Sequence, residues 1–136
     1  MVAGAALAAL WVGLAILPVR GDETPVAVDT KGLPKLGDEW KDKDPFVGNP
    51  TAIEVGASAY NQNCARCHGL EMISGGIAPD LRHVPTDQEG DDLFKERMQQ
   101  GAQRNGMTLM PKFAGLLPQE TLWAIRAYMV SKHVED

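Results

Sequence analysis

The stretch Cys64-Ala65-Arg66-Cys67-His68 contains both cysteines of this 136-residue chain. Its spacing, C-x-x-C-H, is typical of covalent haem attachment. Residues three positions apart share one face of a helix, so the two thiols and the imidazole that follows them can address the same flat macrocycle. The pattern therefore predicts one haem c, with thioether bonds to Cys64 and Cys67 and with His68 as an iron ligand.

Other uses of a cysteine pair lack the partners that they need. A structural zinc site takes four nitrogen or sulfur ligands, usually as two spaced pairs, and His83 and His133 lie too far apart in the sequence to form the second pair. A thioredoxin-type dithiol is expected beside a βαβ pattern, which this sequence does not show. A disulfide that closes so short a loop would remove little chain entropy. Haem attachment is the favoured interpretation.

The N-terminal segment has the composition of an export signal. Residues 2–19 carry no charge and are rich in alanine and leucine, as in a secretory hydrophobic region or a membrane anchor. We predict a signal peptide over residues 1–21, cleaved near Gly21, with a retained anchor as the alternative. Covalent haem attachment in bacteria is expected after export, so we expect the protein in the periplasm.

The rest of the chain divides into an arm and one small domain. Residues 22–50 are interrupted by glycine and proline and carry charges of both signs, which predicts an extended arm. Residues 51–136 are long enough for a single domain that one embedded haem would help to stabilise. The net charge of −5 excludes a nucleic-acid binder, because such proteins neutralise phosphates with basic residues.

The apolar spacing of this domain predicts helices and no strand. Thr51 and Glu54 have the spacing of a capping box, which predicts the start of the first helix. The helices are expected over residues 51–64, 91–100 and 118–132, and an irregular segment is expected over residues 104–117. The sequence therefore predicts an all-α fold of three to four helices around one haem.

The second axial ligand of the iron is expected to be a methionine from the irregular segment. Met107 and Met110 both lie there, and Pro111 restricts the backbone of the residue before it, which favours Met110 and leaves Met107 as the alternative. A neutral thioether favours ferrous iron, and a filled sixth position leaves no place for a substrate. We therefore expect an electron carrier that is not an enzyme; a sensor or haem enzyme with an open sixth position is the alternative.

Three further residues are candidates for contacts around the haem. A ligating imidazole normally donates its other N–H to a carbonyl or carboxylate, and the Pro79 carbonyl is the candidate acceptor for His68. Arg82 and Arg104 are candidates for a bidentate pair with a haem propionate. For either arginine, a solvated surface position is an equally good interpretation.

The chain resembles the class I cytochromes c in four separated motifs. Gly56 and Tyr60 precede Cys64 by eight and four residues, as in the N-terminal helix of that family. The other matching stretches are Pro79-Asp80-Leu81, Met110-Pro111 and Ile125-Arg126-Ala127-Tyr128-Met129. The resemblance covers about residues 52–134 and implies that the terminal helices cross at the glycine. It also implies a proline carbonyl on the proximal histidine and a distal methionine.

A narrower likeness concerns the partners of the protein. Residues 56–71 and 73–82, and the arm around Trp40, are similar to periplasmic cytochromes c that accept electrons from quinoprotein alcohol dehydrogenases. This likeness implies a dehydrogenase that depends on pyrroloquinoline quinone (PQQ) as the donor. It also implies a terminal oxidase or another cytochrome as the acceptor. We expect a monomer that docks briefly on its partners, because weak redox encounters bury little surface.

Overall fold

The computed structural model describes residues 24–135, which form four α-helices and one two-stranded antiparallel sheet. The helices are α1 (Pro50–Asn63), α2 (Ala65–His68), α3 (Gln88–Gln100) and α4 (Gln119–Ser131), and the strands are β1 (Ala102–Arg104) and β2 (Met107–Met110). The predicted signal peptide, residues 1–21, lies outside the described residues. Among residues 24–135, every helix is too short or too polar to span a bilayer.

The first helix begins one residue earlier than predicted, at Pro50. Asn49 is its N-cap, since the Asn49 side-chain oxygen accepts a hydrogen bond from the Ala52 amide at 3.2 Å. Proline suits the first helical position because its missing N–H would have no partner there. The expected capping box at Thr51 therefore does not start the helix.

The other two long helices also differ slightly from their predicted bounds. α3 begins at Gln88 rather than Asp91, because the Asp87 carboxylate accepts a hydrogen bond from the Glu89 amide at 3.1 Å and caps the helix. α4 begins at Gln119, directly after the predicted proline. Helix ends are the least certain part of a sequence-based prediction, since one capping side chain decides them.

The two terminal helices of the domain cross at Gly56. A Cβ atom at this position would lie 1.9 Å from the backbone oxygen of Ala124, so no larger residue fits without moving α1 away from α4. One turn later, the buried rings of Tyr60 and Tyr128 pack together with centroids 5.7 Å apart. This crossing joins the helix that precedes the C-x-x-C-H motif to the helix that ends the domain.

The N-terminal arm packs into the same core as the helices. Leu33 and Phe46 are buried, and the Trp40 ring meets the buried Trp123 of α4 edge-on at 6.1 Å. The Gln119 side chain holds the arm, since its Nε2 donates to the carbonyls of Gly37 and Glu39 and its Oε1 accepts from the Lys41 amide. All residues of α4 from Gln119 to Met129 are buried, because the arm and α1 both pack on this helix.

A β-hairpin occupies part of the segment that we predicted to be irregular. β1 pairs with β2 across Asn105 and Gly106, whose φ angles are 51° and 77°. Two consecutive positive φ values are typical of a type I′ turn, whose twist matches that of the two strands, and Asn-Gly is the preferred pair for this turn. The fold is mostly helical, as predicted, with this small sheet as a correction.

A buried ion cluster links the arm, α3 and α4. Arg126 is fully buried, and its Nε donates to Asp91 Oδ1 at 2.7 Å while its Nη2 donates to the Pro85 carbonyl at 2.6 Å. The other Asp91 oxygen accepts from the Asp44 amide of the arm at 2.9 Å. Burial raises the pKa of Asp44 to about 6, and the nearby Asp91 charge adds to the effect.

Candidate haem site

The C-x-x-C-H motif forms a kink and one helical turn directly after α1. The Cys64 amide still donates to the Tyr60 carbonyl at 2.8 Å, but the Cys64 backbone leaves the helical region, with φ −121° and ψ −37°. The chain then resumes as α2, in which the His68 amide donates back to the Cys64 carbonyl at 3.0 Å. The two thiols, both half-buried and free, are therefore spaced by one turn, as the motif requires.

Cys64 does not have the character of an activated redox thiol. Burial raises the pKa of the Cys64 thiol to about 12, and the nearby Cys67 adds to this shift. A reactive dithiol needs a thiolate, which a lowered pKa supplies. The shift at Cys64 has the opposite direction.

His68 is buried and has the contact that an axial imidazole needs. Its Nδ1 lies 2.9 Å from the carbonyl oxygen of Pro79, the acceptor expected from the sequence. A carbonyl oxygen only accepts hydrogen bonds, so Nδ1 carries a proton, which in the neutral ring leaves the lone pair on Nε2. This tautomer is the one that can bind a metal through Nε2.

The loop after the motif is folded tightly against the Tyr60 side chain. The Tyr60 hydroxyl donates to the Gly69 carbonyl at 2.7 Å, and a Cβ atom on Gly69 would lie 1.9 Å from the Ile73 oxygen. Gly69 also has a φ of 83°, which favours glycine. The chain thus turns sharply after His68 and then leads to Pro79.

The two candidate methionines lie in β2, at opposite ends of the strand. Met110 is half-buried, packs against the hydrophobic core and pairs with Ala102 at the base of the hairpin. Met107 lies beside the hairpin turn and is 63% exposed. The base of the hairpin is held close to the end of α3, because a Cβ atom on Gly101 would lie 2.4 Å from the Met110 oxygen.

The two candidate arginines have different surroundings. Arg82 forms a bidentate pair with Asp80, from Nε to Oδ1 at 3.0 Å and from Nη2 to Oδ2 at 2.8 Å. Its guanidinium is therefore already bound within the protein. Arg104 is exposed and pairs with Met107 in the hairpin register.

The segments that carry these ligand candidates expose many large apolar side chains. Six of them lie between residues 70 and 116, in the loop after the motif and in or after β2, and each is more than half exposed: Leu70, Ile73, Ile77, Met107, Leu109 and Leu116. A haem held by these segments would cover apolar surface of this kind. With two thiols, a buried imidazole and a thioether, these residues fit a haem.

Comparison with known proteins gives the family. The model of the family described as cytochrome c oxidase, cbb3-type, subunit III matches residues 51–129, more than half of the chain. The chain belongs to the cytochrome c family. A protein of Pseudomonas aeruginosa named cytochrome c550 is 59% identical to this cytochrome over 121 residues, which are 86% of the chain and 83% of the relative. These matches confirm the predicted fold class and the predicted haem c.

Two longer proteins of Pseudomonas putida contain a more distant match. They are named quinohemoprotein alcohol dehydrogenase ADH IIB and ADH-IIG, and they are 33% and 34% identical over 94 and 91 residues. These stretches cover 68% and 66% of the cytochrome but only 13% and 12% of the two relatives. No solved structure matches the chain. With a single C-x-x-C-H motif, the protein is a monohaem c-type cytochrome that carries electrons.

Sequence reasoning missed two side chains that shape the site. The hydroxyl of Tyr60 donates to the Gly69 carbonyl, a contact that the sequence did not indicate. Asp80 accepts hydrogen bonds from the side chain of Arg82, two residues away, and from the Ser74 amide. The sequence spacing, with an acidic residue two positions before an arginine, could have indicated the pair of Asp80 with Arg82.

Proposed function

We propose that this cytochrome is a periplasmic electron carrier that accepts electrons from a PQQ-dependent alcohol dehydrogenase. In this proposal Cys64 and Cys67 hold the haem by thioether bonds, and His68 and Met110 are the axial ligands of its iron. When bound, haem iron supplies a one-electron Fe(II)/Fe(III) couple. The protein contributes the binding, the orientation and the electrostatics of that couple and has no catalytic residues of its own.

The contact between His68 and Pro79 is the observation that carries the ligand proposal. The Pro79 carbonyl holds the Nδ1 proton of His68, so this hydrogen bond fixes the orientation and the tautomer of the ring. A hydrogen bond donated by an axial imidazole also raises the basicity of the ligand. His68 also follows Cys67 directly, as covalent attachment of the same haem requires.

Burial and backbone stiffness support Met110 as the second ligand. Met110 is half-buried at the base of the hairpin and precedes Pro111, whereas Met107 is largely exposed beside the turn. We expect the Met110→Ala protein to lose the His/Met absorption spectrum and to have a lower reduction potential, because a soft thioether favours Fe(II). The matched Met107→Ala protein should keep both properties.

Two results would contradict this ligand assignment. If Met107→Ala lost the His/Met spectrum and Met110→Ala kept it, Met107 would be the ligand. If the unmodified reduced protein bound carbon monoxide rapidly and tightly, the sixth position would be open. The protein would then be a sensor or a haem enzyme rather than a carrier.

The proposed donor rests on the match to the two quinohemoprotein alcohol dehydrogenases. Their name describes a quinone, a haem and alcohol oxidation in one protein, and the cytochrome aligns with about an eighth of each. A haem module of this kind therefore works beside a quinoprotein dehydrogenase, and we propose that the present chain does so as a separate protein. Its acceptor would be a terminal oxidase or another cytochrome.

Stopped-flow mixing tests the donor directly. A PQQ-dependent alcohol dehydrogenase, reduced by its alcohol, should reduce the oxidised cytochrome within the turnover time of the enzyme. The same mixture without alcohol is the control. If haem reduction with alcohol is no faster than in the control, the donor assignment fails, while the assignment as an electron carrier stands.

The remaining parts of the proposal concern export, assembly and the propionates. We propose that residues 1–21 are removed as a signal peptide and that the mature protein is a monomer. N-terminal sequencing of exported material distinguishes cleavage from a retained anchor. Because Arg82 is bound to Asp80, we propose Arg104 as the propionate partner, and Arg104→Gln should change the pH dependence of the potential.

A further inference from the structure

We infer that Asp80 is a positioning residue for the electron carrier. Together with Ser74 and Arg82, it fixes the loop that holds the Pro79 carbonyl against His68, and it thereby adjusts the electron density on the axial imidazole. This inference rests on the proposed role of His68 as an iron ligand. In this inference, Arg82 pairs with Asp80 to position the loop and does not bind a haem propionate.

The Asp80 carboxylate accepts four hydrogen bonds within its own segment. Oδ1 accepts from the Arg82 amide and from Arg82 Nε, both at 3.0 Å. Oδ2 accepts from Arg82 Nη2 at 2.8 Å and from the Ser74 amide at 3.3 Å. The hydrogen bond from the Arg82 side chain is the main cause that lowers the pKa of Asp80, so the carboxylate is charged at neutral pH.

These contacts close the loop on both sides of Pro79. Ser74, which Asp80 binds, also donates through its hydroxyl to the Ala78 carbonyl and accepts from the Gly76 amide. On the other side, the Arg82 carbonyl accepts from the Val134 amide at 3.1 Å, which ties the loop to the segment after α4. Pro79 itself is exposed, and a proline side chain cannot form hydrogen bonds, so the position of its ring depends on these neighbours.

The size of the interaction argues for a geometric role rather than a large contribution to stability. The side chains of Asp80 and Arg82 are 23% and 28% exposed, and an ion pair near the surface contributes little to the free energy of unfolding. A planar guanidinium on a carboxylate nevertheless fixes direction, because its two parallel hydrogen bonds have one geometry. The pair therefore restrains a carbonyl that a flexible loop would leave mobile.

The expected consequence is a change in the reduction potential. A shorter hydrogen bond from Nδ1 to the Pro79 carbonyl makes the imidazole more basic, which stabilises Fe(III) and lowers the potential. If the loop loosens, the hydrogen bond weakens and the potential rises. The same loosening exposes the Nδ1 proton of His68 to exchange with water.

Two variants separate this geometric effect from the effect of charge. Asp80→Glu keeps the charge but displaces the carboxylate. Arg82→Gln removes a positive charge, which by Coulomb's law alone would lower the potential. We expect the opposite: in both proteins the potential rises. We also expect the His68 Nδ1 proton, followed by NMR of the ferrous protein, to exchange about tenfold faster, as for a weakened hydrogen bond.

Asp87→Glu is the matched control, because Asp87 is also an acidic capping residue that accepts from an amide two positions later. It should leave the potential and the His68 proton unchanged. If Asp80→Glu and Arg82→Gln also leave both unchanged, or if Arg82→Gln lowers the potential, the inference is wrong. If the unmodified protein shows no Nδ1 proton on an iron-bound imidazole, the proposed ligand itself fails.

Discussion

The substitution Asp44→Asn should remove a pH-dependent loss of stability. Asp44 is buried, and the groups that face it are the Phe46 amide, the Asp91 carboxylate and the Arg126 guanidinium. Burial raises its pKa from the ordinary 3.8 to about 6 despite the arginine. One Asp44 oxygen has no hydrogen-bond partner, which is consistent with a carboxylate that is costly to ionise.

The sign and the magnitude follow from this pKa. Between about pH 4 and pH 6 the folded protein holds a proton at Asp44 that the unfolded chain has released. The free energy of unfolding therefore falls as the pH rises through this window. A difference between about 6 and 3.8 corresponds to about 3 kcal/mol, since one pKa unit is worth 1.36 kcal/mol.

Urea unfolding of the two haem-loaded proteins at several pH values measures the effect. The quantity compared is the free energy of unfolding of Asp44→Asn minus that of the unmodified protein. We expect this difference to increase by about 2 kcal/mol between about pH 4.5 and pH 7.5. The increase is smaller than about 3 kcal/mol because the unmodified protein has already lost part of the stabilisation at pH 4.5. Asp42→Asn is the control on the same arm. Lys95 lowers the pKa of Asp42, so any linkage there has the opposite sign. A pH-independent difference for Asp44→Asn would refute the reasoning.

Two further substitutions test the packing of the domain. Gly56→Ala places a Cβ atom 1.9 Å from the Ala124 oxygen, so we expect the free energy of unfolding to fall by about 3 kcal/mol or more. The control is Gly75→Ala, whose Cβ atom meets nothing within 4 Å and which should change the free energy of unfolding by less than about 0.5 kcal/mol. Equal effects of the two substitutions in urea unfolding would contradict the crossing. Gln119→Ala leaves the buried indole N–H of Trp123 without its acceptor and removes the side chain that holds the arm. We therefore expect the free energy of unfolding to fall by about 2–4 kcal/mol and trypsin to cleave faster at the lysines of the arm. Unchanged cleavage would show that other contacts hold the arm.

The cofactor and the helices were predictable because their signals are local. The spacing of Cys64, Cys67 and His68 specifies haem attachment within one helical turn, and Gly56 marks the helix crossing at a fixed distance before it. The hairpin also had a local signal, the Asn105–Gly106 pair. We missed it because the strands beside it are only three and four residues long, too short for an alternating pattern.

The burial of α4 and the role of the arm were not predictable in the same way. Gln119 binds carbonyl and amide groups about 80 positions away in the sequence, and no local pattern reports such partners. Arg126 interrupts the apolar spacing of α4, and a charged residue is most often exposed. Its charge is matched by Asp91, from a different helix, and only the folded chain brings the two together.

The crossing of α1 and α4 brings together the two ends of the domain. Because a polypeptide is made from its N-terminus, Cys64 and Cys67 are synthesised well before Ala124 and Tyr128. Gly56 and Tyr60 of α1 therefore have no partner in α4 until translation reaches the end of the domain. The contact between the two helices is thus one of the last to form during synthesis.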